Sequence, residues 1–273
     1  WGESRRRAGG LRPPASDDRV LAFFAGRRPV STGGWVALAR ALHARGATDG
    51  ALTIARRLWR DTPLTEGEAE ALMARFGPGL TDLHETRLEA MLWQGAAADV
   101  GRLLPRVPAG REALARARLA LQARDAGVNA LIEAVPAALA NDPGLAFDRF
   151  NWRLRSGLLD EATELLLARG EAALGRPEAW AEGRRRLVRR ELAEGRAERA
   201  YRLAAPHGLL DGAVMVDLEW LAGYIALRRL DRPEVARAHF ARLRDRVTSP
   251  ISLSRGGYWE GLAYEALDRP EQA

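Results

Sequence analysis

Helical patterns in this chain are broken at a nearly regular interval, and a second apolar helix follows most of the breaks. The breaks fall at Gly46, Gly95, Gly127, Gly157, Gly195, Asp231 and Asp268. From Gly157 to Gly195, Asp231 and Asp268 the intervals are 38, 36 and 37 residues. A period of about 30–40 residues with two helices per unit predicts an all-α fold, an α-superhelix (α-solenoid) of helix–turn–helix units. One such unit cannot bury its own apolar face, so neighbouring units must stack. Arrays of this kind hold partners or form frames and seldom carry chemistry alone.

Composition narrows the reading. The chain is 47% hydrophobic and 29% charged, enough to build a sizeable core. No apolar run approaches the roughly 20 residues a bilayer-spanning helix needs, so no transmembrane segment is expected. The absence of cysteine excludes disulfides and thiolate chemistry. A net charge of +6 would ordinarily suggest a polyanionic partner such as nucleic acid. However, every basic residue is Arg, as expected of a GC-rich genome, and acids alternate with the Arg at Asp160-Glu161 and Glu194 to Glu198. That pattern reads as a solvated, salt-bridged face and argues against nucleic acid. The chain starts at Trp1 without an initiator Met or a signal-peptide pattern and stops inside a repeat, so it reads as a fragment of a longer protein.

Residues 1–16 are rich in Arg, Gly and Pro and are expected to be a loop or the remnant of an upstream helix; residues 17–273 read as one tetratricopeptide-like superhelical domain. Asp17-Asp18 is expected to cap a helix carrying Val20, Phe23 and Phe24, and Thr65 with Glu66 and Glu68 to cap another. Helices are expected over Trp35 to Ala44, Gly50 to Arg60, Glu85 to Trp93, Asp99 to Leu104, Arg111 to Arg124 and Asn129 to Ala140. The clearest unit sets Trp220, Gly223, Tyr224 and Leu227 against Ala236, Phe240, Leu243 and Val247. Ser249-Pro250 then opens a last helix with Tyr258, Trp259 and Leu262.

Motifs for catalysis are missing. His43, His84, His207 and His239 belong to no metal-binding pattern and read as ordinary helix or loop residues. Glu66, Glu68 and Glu70 cluster in a first helical turn, where negative charge favours the dipole. There is no phosphate loop, dinucleotide fingerprint or nucleophile elbow, and no cofactor is expected. Trp152, Trp180 and Trp220 sit at core spacing. Trp259 beside Tyr258 has a second reading, since aromatic faces also stack on sugar rings.

The last segment, TSPISLSRGGYWEGLAYEALDRPEQA (Thr248 to Ala273), resembles the end of the superhelical domain of soluble lytic murein transglycosylases. The resemblance rests on Pro250, Ile251, Ser252, Arg255, Gly256, Gly257, Tyr258, Trp259 and Gly261. DLEWLAGYIALRRLDRPEVARAHF (Asp217 to Phe240), AYRLAAPHGL (Ala200 to Leu209) and NDPGLAFDRFNWRLRSGLLDEA (Asn141 to Ala162) are similar to the same domain. So are VLAFFAGRRP (Val20 to Pro29) and ARRLWRDTPLTEGEAEALMARFG (Ala55 to Gly77), and the segments fall in the family's order.

The resemblance implies a ring- or horseshoe-shaped frame that precedes a linker and a lysozyme-like domain. That catalytic domain cleaves the MurNAc–GlcNAc bond of peptidoglycan, leaves a 1,6-anhydro end, and uses a Glu in a Glu-Ser pair. The only Glu-Ser here, Glu3-Ser4, is followed by Arg5-Arg6-Arg7 where the family needs an aromatic, so it is rejected as catalytic. The resemblance therefore implies a monomeric, periplasmic, non-catalytic scaffold whose partners are peptidoglycan strands and its own missing catalytic domain. Arg255, Tyr258 and Trp259 are the candidate glycan or interdomain contacts. A free-standing solenoid adaptor that holds a peptide in its groove stays open as the alternative.

Overall fold

The fold is all-α. A computed structural model describes residues 16–272, and no strand occurs among them. Residues 1–15, with Glu3-Ser4 and nearly all of the expected 1–16 loop, lie outside the described residues. The chain divides into two compact units, one ending at Ala115 and the other beginning at Arg116. The division falls inside a helix, where the sequence shows no change of composition.

The first unit contains α1 (Asp17–Phe24), α2 (Thr32–Ala44), α3 (Thr48–Asp61), α4 (Glu66–Phe76), α5 (His84–Gln94) and α6 (Ala97–Leu103). The helix α7 (Ala109–Ala123) carries the division, and α8 (Val128–Glu133), α9 (Pro143–Arg155) and α10 (Leu159–Leu167) follow it. The second unit continues with α11 (Pro177–Ala193), α12 (Ala197–Ala204), α13 (Ala213–Arg229), α14 (Pro233–Asp245) and α15 (Pro250–Glu265). Successive helices pair: α2 with α3 and α5 with α6 in the first unit, and α9 with α10, α11 with α12 and α13 with α14 in the second. Neighbouring hairpins then pack through α9, α11 and α13.

All seven residues that break the sequence pattern have left-handed backbone. The five glycines lie at φ between 68° and 83°, and Asp231 and Asp268 at 51° and 54°. A left-handed residue ends a helix by turning the chain back on itself, and Gly does so without the clash that Cβ imposes. Asp231 and Asp268 pay that steric cost, which is small for a short polar side chain.

The register after the break repeats. Ala51, Val100, Ala162, Ala200 and Ala236 each follow their break by five residues, and each is fully buried. This position is in the first turn of the returning helix, and Ala there in four of the five lets the two backbones come together; Ile132, five residues after Gly127, is the exception and is only half-buried. Large side chains fill the space one or two turns on, as Leu58, Leu166, Leu203 and Phe240 do.

Several expectations need correcting in detail. Ser16, not Asp17 or Asp18, occupies the N-cap of α1; the two aspartates sit in the first turn, where they face the helix dipole. The helix expected over Asn129 to Ala140 stops at Glu133, and a 3₁₀ turn at Ala137–Leu139 replaces the rest. Pro136, which lacks the N–H a continuing helix requires, accounts for the break. By contrast Thr65 and Glu68 form a full capping box, and Ser249 caps α15 by accepting from the Ser252 N–H at 3.2 Å.

Close approach requires glycine at Gly223 on α13. A Cβ there would lie 2.6 Å from the Phe240 ring, which is fully buried and has nowhere to move. Gly223→Ala should therefore lose about 1 kcal/mol net, an overpacking cost only partly offset by better helix propensity. Gly101→Ala, on α6 with open space around it, should instead gain a few tenths to about 1 kcal/mol. Urea midpoints of the two variants should move in opposite directions.

Candidate functional site

The residues singled out at the C-terminal end come together with residues of α13 on one face. Asp217, Trp220, Tyr224 and Arg228 lie one helical turn apart along α13. Arg255, Tyr258 and Trp259 lie on α15, which packs against both α13 and α14. The Arg255 guanidinium sits 4.3 Å from the Trp220 ring centroid, a cation–π contact, and its Nη1 is 3.8 Å from Asp217 Oδ1. Tyr224 stacks on Trp220 at 5.2 Å and 19°.

The three candidates have different surroundings. Trp259 is enclosed edge-on by Trp220 and Tyr224 and stacked on Phe240 at 5.9 Å, so it is part of the packing between α13, α14 and α15. Tyr258 stands out with 65% of its surface exposed and is the aromatic of this face that a sugar ring can reach. Arg255 is held between Trp220 and Asp217. The same Asp217 takes Arg185 at 2.8 Å and Arg189 at 3.4 Å, and Arg185 also takes Glu182 at 2.7 Å, so three guanidinium groups meet two carboxylates. The face therefore keeps a positive excess beside an exposed aromatic. That combination suits a partly apolar ligand with acidic groups.

A second constellation escaped the sequence reading. Glu219 on α13 is only 6% exposed and collects His207 Nε2 at 3.2 Å, His239 Nδ1 at 2.6 Å and Arg242 Nε at 3.1 Å. His207 Nδ1 accepts the Leu209 N–H at 3.0 Å, which leaves the proton on Nε2 to be donated to the carboxylate. His239 Nε2 meets the Tyr201 hydroxyl at 3.1 Å, extending the chain of bonds to α12. Arg242 Nη2 also comes within 2.6 Å of His239 Nδ1, so guanidinium and carboxylate compete for that edge of the ring.

Burial alone would raise the Glu219 carboxyl, but the hydrogen bonds from His207, His239 and Arg242 outweigh it and hold it well below the usual carboxylate range. Both carboxylate oxygens are thus filled by N–H donors, with a permanent cation in place. The arrangement ties the α12–α13 connection to α14; it leaves the carboxylate no free lone pair aimed at a substrate. One sequence signal could have exposed it: Glu219 interrupts the buried run Leu218, Leu221, Ala222, Ile225, and His239 sits between buried Ala236 and Phe240.

Buried ion pairs recur in the other hairpins. Arg87, 1% exposed, bonds Asp99 and donates to the carbonyls of Trp59 and Thr62. Arg118 Nε donates to Asp148 at 2.7 Å. Glu191, fully buried at the α11–α12 turn, takes Arg196 at 2.6 Å and Arg199 at 3.0 Å, and the Arg196 hydrogen bonds hold it below its usual range against burial. The charge counted as a solvated face is in part an internal fastening. Among the described residues, no helix is long and apolar enough to cross a membrane. No family model, no curated protein and no solved structure matches this chain.

Proposed function

We propose that this chain is the non-catalytic superhelical frame of a soluble lytic murein transglycosylase, a monomeric periplasmic scaffold that guides a peptidoglycan strand toward a separate catalytic domain. The reading rests on the ordered resemblance of several segments. The observation that supports it best is the fold of the last one: the run from Pro250 to Gly261 docks Trp259 into the preceding hairpin, lays Arg255 against Trp220 and Asp217, and leaves Tyr258 exposed. The positive excess around Asp217 would attract the stem-peptide carboxylates over a distance set by ionic strength.

Incubation with purified peptidoglycan sacculi at low and moderate salt tests this. The expected result is co-sedimentation that weakens as salt rises, with no release of anhydro-muropeptides. Arg255→Gln together with Tyr258→Ala should reduce the bound fraction severalfold at low salt while the circular dichroism stays helical. Absence of binding at low salt would argue for an adaptor that holds a protein or peptide instead. Product release would place catalysis within this chain and overturn the reading.

A further inference from the structure

Nearly every buried charge in the second unit has an opposite charge within bonding distance; Arg184 does not. This residue, in the middle of α11, is 3% exposed, and its one side-chain hydrogen bond runs from Nη1 to the Leu203 carbonyl at 2.6 Å. It lines a cavity of about 300 Å³ formed by α10, α11, α12 and the residues just beyond α10 and α12. Arg169 and Arg202 line the same cavity, Tyr201 and Leu166 complete its wall, and none of its lining residues is acidic.

The three guanidinium groups are poorly compensated. Arg169 donates to the carbonyls of Asn141 and Ala173 and forms no ion pair among the described residues; the field of Asp142, outside the cavity, offsets its burial only in part. Arg202 makes no hydrogen bond or ion pair among the described residues. The C-terminal ends of α10 and α12 border the cavity, but a helix terminus amounts to about half a negative charge against three full positive ones. Burial pushes the Arg184 guanidinium down to about 10, and the field of Glu171, outside the cavity, offsets this only in part. A buried guanidinium without a carboxylate is costly, and the fork geometry of Arg matches planar oxyanions.

We infer that the Arg169–Arg184–Arg202 cavity is a binding site for an oxyanion, the carboxylate or phosphoryl head of a small ligand or chain end. Arg184 supplies the desolvated donors at the buried side, and Arg202 supplies the charge on the exposed side. This goes beyond the glycan-frame reading and does not depend on it. Binding is local to α10–α12, away from Arg255 and Tyr258, so failure of one leaves the other standing.

The test uses the full chain labelled with ¹⁵N-arginine, with the Nε–Hε resonances followed by NMR at constant ionic strength. Inorganic phosphate is titrated in one series and N-acetyl-alanine in another. Saturable movement of a small set of Arg resonances with either probe is the expected result, and the probe that binds more tightly names the head group. Arg184→Ala could fail to fold, so the variant of choice is Arg202→Gln, whose side chain is exposed and without partners. It should weaken binding about tenfold, the loss of one charge-assisted hydrogen bond. Arg229→Gln, exposed and outside the cavity, should bind as the parent does. Linear, unsaturable shifts with both probes, or equal weakening in the two variants, would overturn the site.

Discussion

Glu219→Gln should lower the stability of this protein by about 3 kcal/mol at pH 7, the scale for breaking a buried charge pair. The carboxylate accepts from His207, His239 and Arg242 at once. An amide presents one oxygen and one NH₂ group, so one of the ring N–H donors would face another donor. The figure sits at the low end because half of the Arg242 side chain is exposed and can turn to water. Urea unfolding at pH 7 measures it, and a loss under 1 kcal/mol would show that the network is dispensable.

The same residue sets a pH dependence with a definite sign. Its folded-state carboxyl titrates below the unfolded value of about 4.3. In that window the unfolded chain binds more protons, so stability is present above pH 4.3 and is lost as pH falls toward the folded value. Between pH 6 and pH 3 the parent should lose more stability than Glu219→Gln, and the two curves should converge in acid. Parallel curves would mean that other carboxylates dominate acid unfolding.

Trp180→Ala should cost about 4 kcal/mol, the largest effect expected of a core truncation here. Trp180 is wholly buried, lies 4.9 Å from the Phe150 ring and 5.4 Å from Phe147, and donates its Nε1 proton to the Leu174 carbonyl at 3.0 Å. Removing the indole leaves a large cavity and also an unpaired buried carbonyl. Trp180→Phe keeps most of the volume and should lose roughly half as much. Hydrogen exchange should show the lost protection within α9 to α13, because those helices share this cluster. Uniform loss across the first unit as well would mean that the whole chain unfolds as one.

Much of the helical framework was legible from local pattern. A left-handed turn has a strong residue preference, so the break positions could be read without knowing what packs where, and the buried small residue five positions later follows from hairpin geometry. Caps were partly legible: Thr65 and Ser249 act within their own first turn, whereas Ser16 takes the cap expected of Asp17 or Asp18. Pro136 was a readable stop that the apolar pattern around Ile132 obscured.

The sites were legible only in part. Tyr258 and Trp259 are adjacent in sequence yet have opposite environments, because α15 turns Trp259 toward Phe240 and Tyr258 toward water. The four histidines looked equivalent in the sequence. His207 and His239 differ from His43 because they meet Glu219 across 12 and 20 residues of chain, a convergence with no local signature.

What the sequence determined by itself is the all-helical character, the hairpin period and the small and large core positions, since each follows from interactions within one or two turns. Only the tertiary structure decided which charges are internal. An Arg on a helix reads the same whether it ends in water, on a carboxylate or against a bare cavity wall. Arg87, Arg184 and Arg202 differ because the neighbouring helices bring Asp99 to the first, a lone carbonyl to the second and, among the described residues, no hydrogen-bonding or ionic partner to the third. Long-range electrostatics is set by that juxtaposition, and desolvation gives it a far larger energetic weight than the same charges carry at the surface.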